Sequence, residues 1–283
     1  MSEYQYHEFL AIDRPLDEQQ QAEARELSDR ARITATSFVN DCDWSSFRGD
    51  PRKMMERYYD AHVNVASGIH QVMLRLPRAF LSLETAGQYC IDPLVCAWAS
   101  GKNLILDLNS QDDSGDQAKG AEDSLSAIVG IRAELAAGDL RPLYLAWLAA
   151  WGTWERDEDA FDYAEEDETE PPVPAGLKAI TAPQRALADF LRLDPDLLAV
   201  AAEASPLLPE TKDDPGEMAR WIKDLPASDK DRLLHEVAQG HGAQVQIELH
   251  RQFRGEPEDL GVSRPRRTVA ELLDAAAEAR QER

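Results

Sequence analysis

Apolar and polar residues alternate along QVMLRLP (residues 71–77), with Val72, Leu74 and Leu76 on one side, and a period of two predicts a strand. Four more strands are predicted. Residues 4–12, YQYHEFLAI, are aromatic-rich and end in an apolar run. RITATSFVND (32–41) carries β-branched side chains that suit a pleated surface. LVCAWASGKNLILDLN (94–109) reads as two strands joined by a turn at Ser100–Gly101. Between the first two strands, LDEQQQAEARELSDRA offers Asp17 as a helix cap and Gln20 three residues later, a capping box, with Leu16, Ala24 and Leu27 as a modest apolar face.

The next helix begins in SSFRGDPRKMMERYYDAHVNVA (45–66). Gly49 breaks the preceding structure, Asp50 is a good N-cap, and Pro51 fits the first helical position, where a missing N–H costs nothing. Met54, Met55, Tyr58, Tyr59, His62 and Val63 recur at helical spacing, so the helix is expected to run through them. The Arg-Gly-Asp triplet is thereby explained as turn plus cap. The order strand–helix–strand–helix–strand–hairpin permits a split βαβ arrangement.

Beyond residue 110 the pattern changes. Residues 111–123 are polar and read as an exposed loop. In the helical stretch that follows, Leu143, Trp147 and Leu148 share a face flanked by Tyr144 and Trp151. Residues 155–170 then hold ten acids and one arginine and are followed by closely spaced prolines, a composition typical of a boundary. After residue 176 comes helix after helix: Asp194 with Pro195, then Asp214 with Pro215, then Ser228 and Asp231 with Gly240 as a stop. The tail, RRTVAELLDAAAEARQER, is another amphipathic helix with Val269, Leu272, Leu273 and Ala276 on one face. The expected organisation is an α+β domain over 1–110, with about five strands and two or three helices. A loop and Trp-rich helical region packed on it spans 111–154, an acidic linker 155–175, and a mainly α-helical array 176–283.

YHEFLAIDRPLDEQQQAEARELS, SFVNDCDW, GDPRKMMERYYDAHVNVA and QVMLRLP together resemble an uncharacterised bacterial family of hypothetical proteins with no assigned activity. The resemblance is strongest over the first 110 residues and continues through the Trp-rich helix. It implies a bacterial origin and carries over no catalytic residue.

Charge narrows the possible partners. The 53 Asp and Glu residues outnumber 30 Lys and Arg, for a net charge of −23. Nucleic acid is bound chiefly through Lys and Arg, so it should be repelled, as should anionic membrane surfaces. The one dense basic run, SRPRR (263–267), is too short to reverse this. No apolar stretch is long enough to span a membrane, and no signal peptide is visible. Three sparse cysteines, Cys42, Cys90 and Cys96, read as reduced thiols, so a cytoplasmic setting is expected.

Specific chemistries leave few traces. No two histidines lie at the i, i+4 spacing of a helical zinc pair, and there is no C-x-x-C. His235, His241 and His250 fall on two adjacent predicted helices and read as polar-face residues. Asp107 and Asn109 begin a calcium-like loop, but Asp112 and Ala118 stand where glycine and a bidentate glutamate belong. Cys42 sits between Asp41 and Asp43, which disfavours its thiolate. No G-x-S-x-G or phosphate-cradling glycine motif occurs. No metal, cofactor or catalytic residue is therefore expected.

The leading expectation is a non-enzymatic protein–protein interaction or adaptor component of a bacterial assembly. The tail stripe of Val269, Leu272, Leu273 and Ala276 is its expected docking element, and a protein is its expected partner. One alternative is an enzyme or small-ligand-binding protein with a pocket near Tyr58, His62 and Trp44. The other is an acidic nucleic-acid mimic. The sequence sets no oligomeric state.

Overall fold

The computed structural model describes residues 4–43, 47–66, 68–111, 123–152, 168–208, 215–238, 245, 248–249, 252–253 and 266–281. Seven strands form one sheet: β1 (Tyr4–Leu10), β2 (Arg32–Ile33), β3 (Ser37–Asp43), β4 (Ala61–Ala66), β5 (Ile69–Pro77), β6 (Val95–Ser100) and β7 (Asn103–Gln111). Their spatial order is β2-β3-β1-β4-β5-β7-β6. All neighbouring strands run antiparallel. β1 and β2 thus run parallel with β3 between them, and β3 and β4 run parallel with β1 between them, which is the split βαβ arrangement. Helices α1 (Glu18–Arg25) and α2 (Pro51–Arg57) lie between the early strands. The helices that follow are α3 (Leu83–Gly87), α4 (Ser124–Ile128), α5 (Ile131–Ala136), α6 (Arg141–Gly152), α7 (Ala182–Phe190) and α8 (Pro195–Ala204). Then come α9 (Pro215–Asp224), α10 (Ala227–Ala238) and α11 (Val269–Gln281). The fold is α+β, with a mainly helical C-terminal half.

Local chemistry sets most of these boundaries. The Asp17 carboxylate accepts from the Gln20 backbone N–H at 2.8 Å, and the Gln20 side chain accepts from the Asp17 N–H at 3.0 Å, closing the capping box. Asp50 accepts from the backbone N–H groups of Arg52 and Lys53, with Pro51 at the first helical position. A Cβ at Gly49 would stand 2.5 Å from the Phe47 ring, so any larger residue in the Arg-Gly-Asp triplet would have to displace that ring.

Two expectations change here. The helix predicted through Val63 stops at Arg57, and residues 61–66 form β4. The Tyr59 N–H still reaches back to Met54 O at 3.1 Å, but the Asp60 N–H donates to Leu10 O at 2.8 Å and starts the pairing with β1. The segment 32–41 contains two strands. The Thr34 N–H donates to Ser37 O at 2.9 Å and folds a tight turn between them.

Because successive strand residues face opposite ways, the sheet builds two cores. On one side Val63, Val65, Val72, Leu74, Leu106 and Leu108 meet the later helices. Helix α6 is the centre of that layer, buried from Arg141 to Trp151, as an all-round apolar helix should be. Leu187 of α7, Leu197 of α8 and Leu272 of α11 belong to the same core. On the other side Phe9, Phe38, Met73 and Ile105 pack beneath Met54, Met55 and Tyr59.

The expected linker at 155–175 falls partly outside the described residues, which resume at residue 168. There the Glu170 N–H donates to Arg267 O at 2.9 Å, and the Val269 N–H to Glu168 O at 2.8 Å. The Glu170 carboxylate also accepts from Arg267 at 2.8 and 3.0 Å and from the Tyr144 hydroxyl. This buried junction joins the segment before α7 to the start of α11.

Candidate functional site

The sheet face beneath α2 is not uniformly apolar. Strand register places Asn40 opposite His7, His7 opposite Asn64, Asn64 opposite Gln71, and Gln71 opposite Asn109. A single polar row thus crosses five adjacent strands at one level. Its neighbouring row reads Phe38, Phe9, His62, Met73, Asp107 and Cys96. His62 therefore lies diagonally from His7, and their Nε2 and Nδ1 atoms are 3.1 Å apart.

Both ends of the row are satisfied. At one end the Ser28 hydroxyl donates to Asn40 Oδ1 at 2.5 Å. At the other, buried Asp107 accepts from Gln71 at 2.7 Å, Asn109 at 2.8 Å and Arg52 at 3.4 Å. Arg52 also lies over the Trp98 ring, 4.9 Å from its centroid.

The middle is different. His7 and His62 are 1% and 0% exposed, and Asn64 is 8% exposed. Among the described residues, His7 Nε2, His62 Nδ1, Asn64 Oδ1 and the Tyr59 hydroxyl meet no hydrogen-bond partner. Aromatic rings enclose them: Phe47 stands 4.4 Å from His7 and Phe9 stands 4.0 Å from His62, centroid to centroid.

Burial disfavours the imidazolium form. It lowers the His7 pKa to about 4 and holds His62 well below its ordinary value, with the neighbouring His7 adding to the effect. Two neutral imidazoles sharing one hydrogen bond have a fixed remainder. Whichever ring donates, one outer nitrogen keeps an N–H and the other keeps a lone pair.

Of the residues expected to line a pocket, Tyr58 and His62 meet different partners. Tyr58 is the C-terminal cap of α2, and its hydroxyl donates to Glu23 on α1. That hydrogen bond raises the Tyr58 pKa. His62 faces β1 instead, and Trp44 lies outside the described residues. Cys96 donates weakly to Asp92 and to the Pro93 carbonyl, both at 3.6 Å, and burial with the Asp92 contact pushes its thiol up to about 11. Burial also raises the Cys90 thiol. Neither is poised as a nucleophile. Among the described residues no three His, Cys, Asp or Glu side chains form a metal-holding group. His241 and His250 lie outside the described residues.

The tail stripe is covered by its own chain. Val269, Leu272 and Ala276 are buried, and half-buried Leu273 packs against the same core. Helix α11 lies along α8, and Arg280 pairs with Asp194 at that helix's N-terminal cap. Exposed apolar side chains lie elsewhere among the described residues, Leu207 and Leu208 after α8 and a pair on α10 among them. On α10, Leu233 is buried while Leu234 is 67% exposed and Val237 is 47% exposed. Arg232 holds this helix to Glu248, while Trp221 of neighbouring α9 packs on Phe253. Among the described residues no helix is long and apolar enough to cross a membrane.

His7, Asn64 and Gln71 escape detection in sequence because an alternating polar residue in a strand ordinarily faces water. Leu234 escapes because Leu233 beside it is equally apolar. No protein-family model, curated protein or solved structure matches the chain, so its functional reading rests on its own residues.

Proposed function

We propose that the protein is a non-enzymatic interaction module that docks a basic, amphipathic helical segment of a partner protein on α10. One observation carries this reading: Leu234 and Val237, one turn apart, face outward on a helix whose inward side is already anchored by Leu233. Exposed apolar side chains at helical spacing suit helix-in-groove recognition. The chain's net charge of −23 favours a basic partner and would accelerate encounter with it. Nucleic acid is disfavoured by the same charge.

The test is affinity capture with the wild-type chain and a Leu234→Asp, Val237→Asp variant, followed by reconstitution of the captured protein from purified components. The reading predicts a stoichiometric complex that weakens with salt and is lost in the variant. A complex formed equally well by the variant would refute it.

A further inference from the structure

We infer that Cys90 and Cys96 are a reversible redox pair, whose two thiols close into a disulfide on exchange with a low-molecular-weight disulfide such as oxidised glutathione. The pair is separate from the α10 face and does not depend on it.

Register comes first. Ile91 and Val95 form an isolated antiparallel bridge and exchange both backbone hydrogen bonds, Ile91 N–H to Val95 O at 2.9 Å and Val95 N–H to Ile91 O at 2.7 Å. The next positions outward are Cys90 and Cys96. Beside a pair that exchanges both bonds, the next opposed pair is of the non-hydrogen-bonded kind, with Cα atoms about 4.5 Å apart and side chains on one face. A disulfide spans Cα separations of about 4.4–6.8 Å. A second contact brings the same two residues together: the Ala97 N–H, one position past Cys96, donates to the Cys90 sulfur.

Access and charge come second. Both thiols are half-buried, within reach of a small reagent. Cys90 donates to Ala86 O at 3.5 Å, and Cys96 to Asp92 and to Pro93 O at 3.6 Å. Thiols are weak donors, so rotation about χ1 can redirect both sulfurs at little cost. Burial raises both thiol pKa values, and Asp92 and Asp107 add to the rise at Cys96. A disulfide carries no charge, so surroundings that disfavour the thiolates favour the oxidised pair, while the scarcity of thiolate makes the exchange slow.

The reaction proceeds in two exchanges. One cysteine loses its proton, and its sulfur attacks the glutathione disulfide, releasing one glutathione and leaving a mixed disulfide. The second cysteine, deprotonated in turn, attacks the protein sulfur of that bond and releases the other glutathione. The two protons end on the two glutathiones, and the two electrons lost by the cysteine pair reduce the glutathione S–S bond. The new bond would tie the stretch after α3 to β6, an edge strand of the sheet.

The experiment equilibrates the full chain with reduced and oxidised glutathione in mildly alkaline buffer, folded and in urea. Samples are quenched with an alkylating reagent and digested with trypsin. Cleavage after Arg78 and Lys102 leaves both cysteines in peptide 79–102 and Cys42 in another. Peptide 79–102 is expected to lose two hydrogens and take no alkyl group, a change that dithiothreitol reverses. The folded chain should reach this state with at least about tenfold less oxidised glutathione than the chain in urea, because the fold holds the pair in register. By linkage the oxidised chain should melt at a higher Tm than the reduced one, and Cys96→Ser, which cannot close the bond, should show no such rise. Thiols that stay open to alkylation, or a glutathione adduct as the end product, would overturn the inference. So would equal oxidation of the folded and unfolded chains.

Discussion

His7 Nδ1 and His62 Nε2 meet at 3.1 Å across adjacent strands, buried so deeply that both rings are held neutral. The consequence for stability has a definite sign. The pKa of His7 falls from an ordinary 6.5 to about 4 on folding. Above pH 6.5 neither state takes up the proton and the shift has no effect. As pH falls below 6.5 the unfolded chain is protonated first, and stability is lost until the folded pKa is reached. By pH 5 His7 alone should cost about 2 kcal/mol, with a further loss from His62 in the same direction. Urea melts at pH 7 and pH 5 on wild type and His7→Gln check this: the variant should lose less stability between the two. Equal losses would contradict it.

Asp60 is predicted to be among the most sensitive positions. It is buried, and one carboxylate oxygen accepts from Arg75 Nε at 3.0 Å and Nη2 at 2.7 Å. The other accepts from the backbone N–H groups of Ile12 at 2.7 Å and Asp13 at 2.9 Å. Asp60→Ala would leave a largely buried guanidinium and two amides without their acceptor, so a loss of about 3–5 kcal/mol is expected. Denaturant melts should place Asp60→Asn between the wild type and Asp60→Ala, because the amide keeps one acceptor.

Leu272 has no exposed surface and sits in the main core against α8. Leu272→Ala should therefore cost about 2–5 kcal/mol. Glu278 on the same helix is exposed, and Glu278→Ala should change stability by no more than about 0.5 kcal/mol. Thermal melts of the two variants check whether the tail is part of the fold. Equal Tm values would show that it is not.

Caps were legible in the sequence because they are local. Asp17 with Gln20, Asp50 with Pro51, and Asp194 with Pro195 are spaced by helix geometry alone, and each begins a helix. Strand β4 was not legible. Met54, Met55, Tyr58, Tyr59 and His62 satisfy a helical period, and nothing local reveals that Asp60 pairs with Leu10, 50 residues earlier. The polar row was hidden for a related reason. His7 and Asn64 are polar positions in alternating strands, where such residues ordinarily face water, and only tertiary packing, such as the Phe47 ring against His7, buries them. The tail stripe was legible as amphipathic, but its cover on α8 is a tertiary fact. Adjacent Leu233 and Leu234 are indistinguishable in composition, so only packing decides which of them faces outward.

The most direct test of the proposed interaction is hydrogen–deuterium exchange on the chain with and without its captured partner. The account predicts that added protection falls on residues 227–238 of α10, while the already packed tail, residues 269–281, is unchanged. Protection confined to the tail or to the sheet, with α10 unaffected, would contradict it.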